Sequence, residues 1–473
     1  MKKGIILLLL MAAMVASAQD ETTADDQKKP IFGNRKEGQS QGENQLDLDL
    51  NMLGRGELRY GGFTEGTEEK HAQFLMGRTR LSLTYKRPYI EAKVTAQHSG
   101  VWGQKGSGSF NLHEAWAKLY TKSGLFAKIG RQVLSYDDER IIGANDWAMA
   151  SNTHDVIKLG YEGHGHKVHG IFGFNQNTEN ISGGTFYEDG AQPYKLMNTL
   201  WYHYDIPKTP LGISLLFMNI GMQGGEKKVI AKRDEQGEII WKEDGTPNCY
   251  TEINDPHNVY QQLVGGYLSF KPRNLTVEAS YYHQLGRNEN EMKMDAWMAS
   301  IKAQYQISPK WGAVAGYDYL SGDDYFVVRK NGGLGLVQHK VFKFFNPVYG
   351  SHHKFYGLMD FFYVQAFSDT FSPGLQNLYA GASYSPIKGL NLRATYHYLA
   401  MATRLKGLNK TLGHDLDIEA SYQILKDANV ALGFSYMAGT DTMERLKRAE
   451  GNDDLKWAWL TLVVSPRIIS KKW

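Results

Sequence analysis

The chain has 473 residues, 53 lysines and arginines against 50 aspartates and glutamates, a formal net charge of +3, and one cysteine, Cys249. So small a charge supplies no basic field for nucleic acid, and a lone thiol excludes an internal disulfide. After the first eighteen residues nothing offers the ~20 consecutive apolar residues of a membrane helix, although the chain opens as an exported protein would.

Residues 1–18 have the form of a signal peptide. Lys2 and Lys3 give the positive start, Ile5 to Val15 the apolar stretch, and Ala16-Ser17-Ala18 a small-residue cleavage site before Gln19. Residues 19–44 lack apolar periodicity and read as a flexible periplasmic lead-in. From there, 45–473 alternates with a period of two. Leu46, Leu48, Leu50 and Met52 fall on one parity, with Asp47, Asp49 and Asn51 on the other. A strand so written has one apolar and one wet face.

The same pattern recurs along the chain. Leu81, Leu83 and Tyr85 oppose Arg78, Arg80 and Ser82, while Ile90, Ala92 and Val94 oppose Glu91 and Lys93. Ile157 and Leu159 oppose Lys158, and Leu416, Ile418 and Ala420 oppose Asp415, Asp417 and Glu419.

Connections alternate between tight and long. Tight ones rich in Gly, Pro, Asn or Asp fall at 86–88, 121–124, 162–165, 207–210, 271–274, 308–310, 385–389 and 426–429. Long ones fall at 61–73, 99–110, 133–152, 177–193, 222–258, 287–293, 321–376, 403–412 and 439–454. The strand-like stretch Lys354 to Gln365 belongs to the long loop 321–376, because the turn at Ser385-Pro386 must lie on the periplasmic side. The fold expected is all-β: a transmembrane antiparallel barrel of about eighteen strands, with short periplasmic turns and long external loops. Its place is the outer membrane of a Gram-negative cell.

A charge facing lipid at mid-membrane costs about 2–4 kcal/mol, so the charged parity must face the lumen. The basic inward set includes Arg55, Arg59, Arg78, Arg80, Lys93, Lys118, Lys128, Lys158, Lys302 and Arg393. The acidic set includes Asp47, Asp49, Glu57, Glu91, Glu114, Glu278, Asp417 and Glu419. Two readings stand: a basic track for an anionic solute, or a self-neutralising wall. Tyr60, Tyr120, Trp201, Tyr202, Tyr204, Trp297, Tyr396, Tyr398, Trp457 and Trp459 suit interfacial girdles. The alternating pattern stops near Val464, and Pro466 to Trp473 trails beyond it.

Glu114-Ala115-Trp116, Gly130-Arg131-Gln132, Tyr136, Asp138-Glu139-Arg140, Gly143 and Asp146-Trp147 together resemble the signature of the alginate export family. Asp155, Lys158-Leu159 and His353 to Gly357 with Asp360 extend the likeness, while Asp137 stands where that family commonly has glycine. The resemblance implies an eighteen-stranded porin passing an anionic polysaccharide through an arginine-lined pore. It makes Arg131, Arg140 and Lys158 candidates for substrate contact, with Glu139 and Asp146 as partners holding the arginines. A salt-bridged plug, in which the loop 133–152 folds into the lumen, is the structural alternative for these residues.

The expected pore-lining set is therefore Arg78, Arg80, Lys93, Lys118, Lys128, Arg131, Arg140, Lys158 and Arg393, with Glu114, Glu139 and Asp146 as ion-pair partners. His164, His166 and His169, His352-His353 with Asp360, and Asp323-Asp324 lack the converging spacing of metal sites. No nucleophile motif or phosphate-cradling loop is present, so neither an enzyme nor a cofactor is expected. Expected partners are an anionic saccharide or other acidic solute, outer-membrane lipid, barrel-assembly machinery and periplasmic export proteins. A non-selective porin, or a receptor or adhesin using the long loops, are the other functional readings.

Overall fold

Alternating segments of this kind can satisfy every backbone N–H and C=O inside a hydrocarbon layer only by closing on themselves. That is what they do. The computed structural model describes residues 44–61, 71–106, 108–177, 179, 186–187, 190–234, 236–241, 247–289, 291–324, 326–328, 334–336, 341–362, 371–447 and 454–473. The expected signal segment 1–18, and the expected lead-in apart from Asn44, lie outside the described residues.

Eighteen strands form one closed antiparallel barrel. The first nine are β1 (Gln45–Tyr60), β2 (His71–Arg87), β3 (Ile90–Val101), β4 (Ser109–Tyr120), β5 (Leu125–Gln132), β6 (His154–Gly163), β7 (His166–Phe174), β8 (Leu196–Asp205) and β9 (Leu211–Ala231). The second nine are β10 (Cys249–Phe270), β11 (Leu275–Arg287), β12 (Lys293–Gln306), β13 (Trp311–Leu320), β14 (Leu375–Tyr384), β15 (Leu390–Ala400), β16 (Thr411–Leu425), β17 (Ala428–Gly439) and β18 (Asp454–Val464).

Each strand pairs with its sequence neighbour. β13 pairs directly with β14, Leu320 opposite Leu375, so the long segment between them leaves the wall and returns to the same place. The described part of the stretch 354–365, residues 354–362, holds no wall strand; His352–Lys354 form a single 3-10 turn. Tight connections need residues able to reverse the chain. At the Thr121–Gly124 turn Gly124 sits at φ 96°, where a Cβ would lie 2.2 Å from the Glu162 carbonyl, so glycine is required there.

Closure occurs at β1. Its residues Met52 to Tyr60 pair with Val464 to Lys456 of β18. Beyond Pro466 the chain re-enters the sheet as Arg467–Lys472, which pairs with Gln45 to Asp49. This corrects the expectation that the C-terminus trails away. Pro466 removes one donor from the ladder, which looked like an end, but its carbonyl still accepts from Leu50 N at 3.1 Å. Arg467 then pairs with Asp49 at 2.7 Å, and Trp473 exchanges backbone bonds with Asn44.

The burial pattern is that of a soluble protein turned inside out. Leu58, Leu83, Val94, Ile129, Leu215, Ile301, Leu378 and Leu460 are exposed on the outside. Asp47, Arg55, Glu57, Arg78, Gln97, Asp415, Asp417 and Ser435 are buried on the opposite parity. Each β-strand thus presents hydrocarbon to lipid and polar groups inward. Trp201, Trp457 and Trp459 are a correction to the girdle assignment. They are buried on the inward parity, whereas Trp297 stacks between Tyr281 and Tyr319 on the outside.

What buries those tryptophans is an apolar core inside the barrel. Leu134, Tyr136, Ile141 and Ile142 come from the loop after β5, and Phe345, Tyr349, Tyr356, Met359 and Phe362 from the segment before β14. They pack with wall residues such as Met197, Met218, Met298 and Trp457. At the external rim a short helix, α1 (Asp441–Lys447), starts after Thr440, whose hydroxyl accepts from the Met443 amide, and buries Met443 and Leu446.

Candidate functional site

The loop between β5 and β6 turns into the lumen and forms a plug with residues 341–362. A parallel bridge joins Ile142 to Tyr349; Gly143 N donates to Tyr349 O at 2.9 Å and Tyr349 N to Ile141 O at 3.1 Å. Asp137, Glu139, Asn145 and Ser151 all sit at left-handed φ, between 47° and 67°. Asp and Asn tolerate that region, and so many strained residues persist only where surroundings over-determine them. Asp137, at the position where the resembled family has glycine, fits this conformation and accepts from Trp201 Nε1 and from Ser214 Oγ.

The surroundings here are ionic. Arg78 and Arg80 both grip Asp146, at 3.1 and 2.6 Å. Arg55 donates to the Trp147 carbonyl at 3.0 Å and lies 4.0 Å over the Trp147 ring. Trp147 in turn stacks on His353 at 3.7 Å. Burial works against ionisation of Asp146, but the two guanidiniums prevail and hold its carboxyl below the ordinary range. Glu139 behaves likewise: Lys354, Ser135 and Ser351 outweigh its desolvation. Ser351 also accepts from the Asn145 amide at 2.9 Å, which joins the two halves of the plug.

Arg140 is wholly enclosed. Asp138 and Asp318 each lie 3.2 Å away, Tyr356 Oη accepts at 3.0 Å, and the Phe355 ring lies 4.1 Å from the guanidinium carbon. The residue expected to meet substrate therefore fastens the plug to β13, and its carboxylate partners are Asp138 and Asp318. Glu139, expected to hold an arginine, holds Lys354 and Ser351. Asp146 does hold arginines, the wall pair Arg78 and Arg80.

Arg131 is a correction of another kind. Lys128 and Gln132 share the inward parity of β5, while Arg131 shares the outward one with Ile129. Its partner Asp155 sits on the outward parity of β6 with Ile157, and the two meet at 2.8 and 2.7 Å near the external rim. Two successive residues of a strand cannot both face the lumen, so Arg131 does not line it.

Lys118, Lys128 and Lys158 do line the lumen, and their register is unusual. Lys118 stands directly opposite Lys128, and Lys128 directly opposite Lys158. Like charges set across a ladder destabilise it. Aromatic faces soften the conflict. Lys128 Nζ lies 3.6 Å from the Trp116 ring, Lys118 Nζ 4.5 Å from Phe126, and Lys158 Nζ 5.7 Å from Phe126 and 5.9 Å from Tyr136. Among the described residues none of the three has a carboxylate within ion-pair distance. Lys93, by contrast, is neutralised by Glu114, which also accepts from Trp116 Nε1 at 2.9 Å.

Beyond the plug the opposite wall is acidic, with Asp318 on β13 and Asp415, Asp417 and Glu419 on β16. Arg393 reaches Glu419 at 3.5 Å, and a cavity beneath the plug is bounded by Arg140, Lys302, Lys354, Arg393 and Asp417. The aromatic partners Trp116, Phe126 and Tyr136, and Asp318, escaped sequence reasoning. Trp116 and Tyr136 stood within the recognised stretch without a pairing rule to connect them with lysines.

His166 faces outward, stacked on Tyr204 at 4.2 Å. His169 faces inward, with Tyr136 Oη at 3.0 Å and Glu162 at 2.9 Å, so the histidine triplet is split between faces. Among the described residues no three His, Cys, Asp or Glu side chains group as metal ligands.

Solved structures share this architecture. Pseudomonas aeruginosa OccK3 (OpdO) aligns over 90% of this chain and 96% of its own at 12% identity, with a TM-score of 0.55. A BenF-like porin from Pseudomonas fluorescens Pf-5 aligns over 89% and 99% at 11% identity and 0.55. Acinetobacter baumannii OccAB1 aligns over 90% and 97% at 11% and 0.56. The chain has the closed β-barrel fold of these porins. The sequence matches no family model and no curated protein. The structural likenesses run to Occ-type porins, and the specific likeness to the alginate export family is not supported.

Proposed function

We propose that the barrel is a passive channel for small anionic solutes, drawn to the wall formed by Lys118, Lys128 and Lys158. The observation that carries this reading is the unneutralised lysine row: three adjacent cations whose mutual repulsion an anion relieves. A passing anion meets mobile ammonium groups, each a point charge strong enough to attract and weak enough to release. Of the arginines expected to do this work, Arg78, Arg80 and Arg140 hold the plug, Arg131 lies outside the lumen, and Arg393 faces Glu419.

The plug argues against a long polysaccharide as cargo. Its apolar core occupies the lumen, and an extended uronate chain would need that core removed, whereas a small anion passes beside it. The solved porins of like fold support a small-solute channel over the polysaccharide route. The test is the reversal potential of the reconstituted protein across a salt gradient. Wild type should prefer anions, and the K118A/K128A/K158A variant should lose that preference while still conducting. Unchanged selectivity in the triple variant rules the lysine row out.

A further inference from the structure

Two carboxylates on the opposite wall have a use that anion passage does not explain. Asp415 and Asp417 are consecutive inward residues of β16, both almost fully buried. They face the turn Tyr356-Gly357-Leu358 of the plug. Asp417 Oδ2 accepts from the Leu358 amide at 2.9 Å, and Ser435 Oγ of β17 donates to Asp417 Oδ1. Asp415 Oδ2 comes so near the Gly357 backbone that a Cβ there would sit 2.4 Å from it, and Gly357 holds φ 90°. Among the described residues, Asp415 Oδ1 has no hydrogen-bond partner.

The charges around this pair do not balance it. From β15, His397 Nε2 stands 3.5 Å from Asp417, while its Nδ1 is engaged with Asn377 of β14. From the plug, His353 is bound to Asp360, and Lys354 is committed to Glu139. Glu419 adds a third acid to β16 and is met by Arg393. Arg140 is spent on Asp138 and Asp318. Asp417 thus has donors and a neighbouring imidazole, and among the described residues no cation pairs with Asp415.

We propose that Asp415 carries a proton while the plug is seated, and that loss of this proton to water as pH rises unseats the turn 356–358 and widens the channel. Ionised Asp415 would be an uncompensated buried charge beside a second one, an arrangement a protein relieves by admitting water or moving the neighbouring segment. The inference requires that the barrel conducts, and is independent of which ion it prefers.

The experiment is conductance of the full-length protein in planar bilayers from about pH 5 to about pH 9, for wild type and Asp415→Asn. Each pH unit through the titration changes the ratio of ionised to protonated Asp415 about tenfold, so the open-to-seated ratio should rise by up to about tenfold per unit. Asp415→Asn, which is uncharged throughout, should stay in the low-conductance state at every pH. A rise with pH equal to wild type in that variant, or a flat wild-type profile, overturns the proposal. Should the variant not assemble, or should no current pass, hydrogen exchange at the wild-type Leu358 amide, corrected for its intrinsic rate, decides the matter. Protection should fall as pH rises, and protection that persists to the alkaline end refutes it.

Discussion

Arg140→Met separates anchoring from substrate contact most directly. The guanidinium is buried among Asp138, Asp318 and Tyr356 Oη, and the Asp318 side chain is 2% exposed. Removing one member of a buried pair costs about 3–5 kcal/mol, because the other charge is left without compensation. At about 1.4 kcal/mol per decade this amounts to a shift of about 10²-fold to several thousandfold toward the unseated plug. Asp318 would be the stranded group, so the double variant R140M/D318N should recover most of the loss. Asp138 is less of a burden because the backbone N–H of residue 140 still donates to it. The assay is single-channel recording: Arg140→Met should show large, noisy openings, and the double variant should be quiet again. A quiet single variant, or a double variant as noisy as the single, would refute the anchoring argument. A change in ion preference without a change in noise would restore Arg140 to the solute path.

Arg131→Ala should leave ion selectivity untouched and cost no more than about 1 kcal/mol, since its pair with Asp155 is half exposed at the rim; denaturant unfolding from vesicles and reversal potentials check both halves. Asp146 and Glu139 are held below their ordinary carboxylate values, so their pairings contribute fully above about pH 4 and fade as pH falls through the lower folded values. Conductance noise should therefore rise in strong acid, and Asp146→Asn should already show it at neutral pH. Deleting 467–473 leaves Gln45 to Asp49 of β1 paired only with β2, and the protein should fail to give the compact, heat-modifiable species on refolding into detergent.

Much of the wall was legible because lipid enforces it. A period of two, charge on one parity and turn residues at alternate junctions leave few ways to arrange 45–464, and the same rule assigned Lys354 to Gln365 to a loop. Parity would also have placed Arg131 outside, by counting one residue past Lys128-Ile129-Gly130. The family-like motif drew attention to the arginine itself and away from its register. Trp457 and Trp459 were harder. On β18 both parities are largely apolar, because the inward one meets the plug; Asp454 and Lys456 at the rim mark the outer face, and Thr461 is the one polar residue on the inner. The plug could not be read from sequence. Whether Asp146 reaches Arg78 depends on a loop folding back across the lumen, and nothing local to 133–152 records that destination. Pro466 hid the final pairing because a missing donor resembles a strand's end.

The seam between β1 and the last strand joins residues far apart in the chain: Ser470 bonds to Asp47 across 423 positions. No pairing in this sheet has a longer span to close, so the first strand must wait, with one row of amides and carbonyls unpaired, until the final residues are made and delivered. An unguarded edge of that length invites the wrong neighbour. Errors at this late closure, more than any weakness of the finished wall, should set the yield of functional molecules.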